Sequence, residues 1–100
     1  MADNHSAINR QSELLDVQLL DGFAQIEALL RHGREVQRAA LGLRGVPGVA
    51  KSDRRALAGT IRQHIDQMIA ECQTFTDMLQ DMQQTAVHIA GLVQEEEAAS

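Results

Sequence analysis

From Ala58 to Val93 the apolar residues recur at steps of three and four. They are Ala58, Ile61, Ile65, Met68, Cys72, Phe75, Leu79, Met82, Ala86, Ile89 and Val93. An average step of 3.5 residues puts every one of them on a single helical seam. No proline interrupts the stretch. A strand would need alternation with a period of two, which is absent. The chain must therefore contain one long helix with an apolar seam, and the rest must cover that seam.

Composition limits what can cover it. The chain is 44% hydrophobic but only 2% aromatic, with no Trp or Tyr. Its core is therefore aliphatic and filled by Met, which suits helix seams better than a β-rich fold. One proline and seven glycines leave little material for turns. One hundred residues make one domain.

A second seam precedes the first: Ile8, Ser12, Leu15, Leu19, Gly22, Ile26, Leu29, Gly33, Val36, Ala40 and Leu43. It predicts a helix over about 6–43, with Asp3, Asn4 or Ser6 as N-cap. Gly22 and Gly33 lie within it, and each costs about 1 kcal/mol relative to Ala. A break at either would allow a three-helix bundle instead. The run Gly42-Leu-Arg-Gly-Val-Pro-Gly-Val-Ala-Lys-Ser is the one clear punctuation. Gly42 or Gly45 can supply a left-handed C-cap, and Pro47 cannot continue a helix. Ser52 or Asp53 then caps the second helix. The expected organisation is a disordered N-terminus over 1–5, a hairpin domain over 6–94 and an acidic disordered tail over 95–100. Within the hairpin, the loop covers 44–51 and the second helix about 52–94.

A short loop between long helices makes them antiparallel neighbours. Folding about Pro47 pairs residues whose numbers sum to about 97. Gly22 then faces Phe75, Leu15 faces Met82, Leu29 faces Met68 and Ile8 faces Ile89. The bulkiest seam residue meets a glycine. A two-helix hairpin has no second layer, so Leu20, Phe23, Leu30 and Ile69, beside the seams, are expected to form a self-association face. The fold class expected is all-α: a long antiparallel, coiled-coil-like helical hairpin associating into a four-helix bundle, as a homodimer.

Charge is segregated along the chain. Residues 1–30 carry net −4, residues 31–62 net +6 and residues 63–100 net −7. In a hairpin the turn becomes basic and the termini acidic. Arg44, Lys51, Arg54 and Arg55 are the expected partner-facing tip. Three readings follow. Two hairpins lie antiparallel, tip to termini; or the tip docks on an acidic protein surface; or it binds nucleic acid or anionic lipid. The third is the weakest, because the basic stretch 31–62 has no Phe, Tyr or Trp to stack on bases and the overall charge is −5.

No motif carries chemistry. His64, Met68 and Cys72 share a helix face and could in principle ligate a soft metal. Met and Cys at seam positions more often pack as adaptable hydrophobes, and no cofactor or metal is expected. His32 and His64 lie one position beside the seams and face each other in the expected register; such a pair could make a bundle pH-sensitive, but histidines packing on a bundle flank are commoner and are the reading expected here. Asp66, Glu71, Asp77 and Asp81 are dispersed around their helix and read as a solvated face, not an acid–base pair. Ser6, Ser12 and Ser52 lack a base and an orienting partner. Gly-Val-Pro-Gly lacks the lysine and hydroxyl spacing of a phosphate loop. These observations argue against an enzyme.

The single cysteine cannot form an intramolecular disulfide, so nothing points to an oxidising compartment. The polar N-terminus lacks a signal-peptide core, and no apolar run is long enough to span a membrane. A cytoplasmic location is expected. Eight Arg against one Lys, with abundant Ala, suggests a GC-rich bacterial or phage source.

The architecture is similar to several families of small bacterial hairpins. The type VII secreted hairpin proteins match in length, but their Trp-x-Gly turn is replaced here by Arg44-Gly45-Val46-Pro47-Gly48. Needle and rod subunits of type III secretion resemble it in having proline in the turn. Export chaperones of the flagellar and type III systems share the helical shape, and small phage inhibitors of host machinery share the acidity. The expected function is a non-catalytic protein-interaction module of adaptor, chaperone or inhibitor type. The alternatives are a structural or secreted hairpin subunit and, behind it, a nucleic-acid-binding tip.

Overall fold

A computed structural model describes residues 4–47 and 53–99. It contains two helices, α1 (Asn4–Leu43) and α2 (Arg54–Ala99), and no strand among the described residues. The architecture is all-α and consistent with a helical hairpin. α1 runs unbroken through Gly22 and Gly33. Asn4 and His5, expected to be frayed, are helical, and Asp3 lies outside the described residues.

α2 continues to Ala99, past the expected end at 94. Like charges at Glu95, Glu96 and Glu97 suggested a disordered tail. Glu and Ala are nonetheless strong helix formers, and the segment continues a helix already nucleated upstream.

The turn is built by its residues as the sequence implies, with the choice between glycines settled. Gly45 takes φ +69°, a left-handed conformation that costs a residue with a Cβ roughly 1–2 kcal/mol. The Val46 N–H donates to the Leu41 carbonyl at 3.2 Å and the Gly45 N–H to the Gly42 carbonyl at 3.1 Å. These two bonds form a Schellman motif that satisfies carbonyls left over at the end of α1. Arg54 Nη1 donates to the Leu43 carbonyl at 3.0 Å and ties the start of α2 to the end of α1. Asp53 is the N-cap of α2, its Oδ1 accepting the Arg55 N–H at 3.1 Å. Ser52 and Lys51 lie outside the described residues.

By contact the chain forms two compact units, Met1–Ala24 with Phe75–Ser100 and Gln25–Thr74. In the first, a Cβ at Gly22 would sit 3.0 Å from the Met82 methyl and 3.5 Å from the Phe75 ring. The expected Gly22–Phe75 register is therefore present. In the second unit, Gly33 lies against Met68.

These contacts predict graded effects of Ala on urea unfolding. Gly59 has open space around it, so Gly59→Ala raises stability by about 1 kcal/mol through helix propensity alone. Gly22→Ala gains clearly less, because the Met82 methyl must move. Gly45→Ala loses about 1 kcal/mol from its positive φ. Equal gains at Gly22 and Gly59 would contradict the close approach of the helices at Gly22.

Candidate functional site

Which flank of each seam faces the other helix is the decisive feature. The column shared with the sequence reading is confirmed inward on α2: Ile61, Met68, Phe75 and Ile89 are half-buried and Met82 is buried. The second column is not the expected one. Ala58, Ile65, Cys72, Leu79, Ala86 and Val93 are all exposed. The residues one position before them face α1 instead: Leu57, His64, Glu71, Met78, Thr85 and Leu92 are half-buried or buried.

The same rotation holds on α1. Ser12, Leu19 and Ile26 are exposed, and Asn4, Gln11, Gln18, Gln25 and His32 are half-buried. The expected seams are therefore corrected on one side by one residue. The physical reason lies in how the polar columns match. Residues whose numbers sum to 96 meet between the helices, every seventh residue, and most are polar.

In the Met1–Ala24/Phe75–Ser100 unit, Asn4 Nδ2 donates to the Leu92 carbonyl at 3.4 Å and to Glu95 Oε2 at 3.5 Å. Gln11, Gln18, Asp81, Thr85 and His88 line one groove. Thr85 Oγ1 donates back to the Asp81 carbonyl at 3.2 Å, the usual device for a hydroxyl within a helix. Gln18 Oε1 is buried without a hydrogen-bond partner.

In the Gln25–Thr74 unit, Gln25 Nε2 donates to the Glu71 carbonyl at 3.2 Å and to the Glu71 carboxylate. His32 Nδ1 and His64 Nδ1 lie 2.9 Å apart, with ring centroids at 5.1 Å. A hydrogen bond between two ring nitrogens needs one to donate and the other to accept. His32 Nε2 lies 3.9 Å from a Glu71 oxygen. The expected facing of His32 and His64 is thus present, within a wider cluster that also includes Gln25 and Glu71. The signal for that cluster was available as polar residues recurring every seven positions.

What the helices leave outside is apolar. Among the described residues, the buried hydrophobic side chains are Ala39 and Met82, whereas twelve large hydrophobics are exposed. The four expected self-association residues are outside: Leu20 is 66% exposed, Phe23 55%, Leu30 51% and Ile69 55%. Leu20 and Phe23 belong to the first unit, Leu30 and Ile69 to the second.

At the turn, Arg44, Arg54 and Arg55 are exposed, and Lys51 is outside the described residues. Arg54 is engaged by the Leu43 carbonyl, so Arg44 and Arg55 present the turn's charge more directly. Arg38 pairs with Glu35 at 3.2 Å on the surface, a contact worth under about 1 kcal/mol. Arg31 and Arg34 flank a shallow groove with Leu30 and Glu27.

Cys72 is exposed, and no group of three His, Cys, Asp or Glu among the described residues is placed to hold a metal. Nor is any helix among them long and apolar enough to cross a membrane. Compared with protein-family models, curated proteins and solved structures, the chain matches none.

The polar column makes a prediction with two signs. Gln18→Leu removes an unsatisfied buried oxygen and raises stability by about 1–3 kcal/mol. Gln25→Leu strips Glu71 of its amide donor and lowers stability. Urea unfolding of the two variants checks both signs, and a loss in Gln18→Leu would contradict the buried placement of that side chain.

Proposed function

We propose that this chain is a non-catalytic helical interaction module of adaptor, chaperone or inhibitor type. It works as a dimer in a bacterial or phage cytoplasm. One observation carries the reading: one of the two columns between the helices is largely polar, while apolar columns lie outside. Burying a large apolar side chain contributes about 1.5–3 kcal/mol. Among the described residues twelve large apolar side chains are exposed and two hydrophobics are buried, so much of that contribution is still to be gained from another surface. The polar groups that converge, Gln25, His32, His64 and Glu71, are engaged with one another between the helices. This favours a structural role for them over catalysis.

Two kinds of surface divide the work. Leu20, Phe23, Leu30 and Ile69, with the exposed columns, serve association of helices. Arg44 and Arg55, with Arg54 and Lys51, give the turn a basic character suited to an acidic protein partner. The net charge of −5 disfavours nucleic acid as that partner.

Light scattering over a concentration series tests the reading. The expected result is a constant mass of twice the 11.0 kDa chain. Leu79→Glu on the exposed column shifts it to the monomer mass, while Asp77→Lys on the polar side of α2 leaves it dimeric. A wild-type mass that grows without limit would favour a polymerising subunit. Retardation of DNA or RNA at low salt, abolished by Glu at Arg54 and Arg55, would favour a nucleic-acid binder.

A further inference from the structure

We infer that the occupant of the exposed column on α2 is α2 of a second copy of this chain, lying antiparallel to the first. The inference rests on the dimeric reading above and specifies its geometry. Two independent observations carry it.

The first is charge. Along α2, residues 54–74 carry three Arg against two carboxylates, net +1, and residues 75–99 carry five carboxylates and no Lys or Arg, net −5. A parallel pair of α2 helices sets −5 beside −5, whereas an antiparallel pair sets −5 beside +1 twice. Like charges at close range are destabilising, and the opposite arrangement steers association.

The second is the shape of the exposed column on α2. Reversed upon itself about its centre, it pairs residues whose numbers sum to 151: Ala58 with Val93, Ile65 with Ala86, Cys72 with Leu79. Every pair sets a small side chain against a large one. Alternation of small and large across facing positions is what fills a helix interface without voids or overlap. A parallel pairing of this column would place Ile65 on Ile65 and Leu79 on Leu79, with gaps at Ala58 and Ala86. In such a bundle the shared and exposed columns form the centre, and the polar column between α1 and α2 becomes a rim.

Disulfide trapping tests the geometry. In a Cys72→Ser background, Ala58→Cys and Val93→Cys are made separately, mixed under reduction and oxidised; Ile65→Cys with Ala86→Cys gives a second pair. Antiparallel copies yield a cross-linked dimer in each mixture and almost none from either variant alone, because like positions are then many turns apart. Raised salt lowers the yield. Cross-linking of Ala58→Cys with itself would overturn the arrangement. So would a dimeric mass by light scattering with no cross-link in either mixture, which leaves the interaction reading standing. A monomeric mass at every concentration would overturn the second copy as occupant and the dimeric reading with it.

Discussion

A pair of helices has only one seam, and here half of that seam is polar. Ile8, Leu15, Leu29 and Val36 on α1 and Ile61, Met68, Met82 and Ile89 on α2 are half-buried or buried, and Gly22 admits Phe75 and Met82. Between these apolar layers come layers such as Gln25 with Glu71 and His32 with His64. Hydrogen bonds in the polar layers exchange for bonds to water and contribute only about 1 kcal/mol each. They define which residues face one another more than they hold the helices together. The apolar side chains that could supply the larger contribution are turned outward.

That distribution links local structure to function. The helices themselves are secure: Asp53 caps the start of α2, Gly45 caps the end of α1, and Pro47 enforces the turn. Secure helices with an outward apolar column behave as a presented surface. The same sequence segregates its charge, acidic toward the termini and basic around the turn. Apolar columns supply affinity without much direction, and the charge pattern supplies direction without much affinity.

Much of the fold is legible in the residues alone. The 3.5-residue period from Ala58 to Val93 establishes α2, and Pro47 between two glycines establishes the turn. The sum of about 97 already sets Gly22 on Phe75. The flank is harder to read. Period alone does not distinguish Ile65, Leu79 and Val93 from His64, Met78 and Leu92, because both sets lie equally spaced beside the same column. Hydrophobicity favours the first set, and a lone hairpin would be expected to bury it. Only alignment of both helices shows Asn4, Gln11, Gln18, Gln25 and His32 opposite a matching polar column. The extent of α2 was hidden for another reason, since the charges of Glu95 to Glu97 and their helix propensity point in opposite directions. The basic turn was visible as composition, but the engagement of Arg54 with the Leu43 carbonyl required the geometry.

The central claim is that these helices depend on a second surface for their stability. The urea midpoint measured over a wide range of protein concentration tests it most directly, because a folded state that exists as a complex is stabilised by mass action. The account predicts a midpoint that rises steadily with concentration. A midpoint independent of concentration, with the slope expected for two cooperatively unfolding helices, would show that the polar-layered hairpin stands alone and would contradict it.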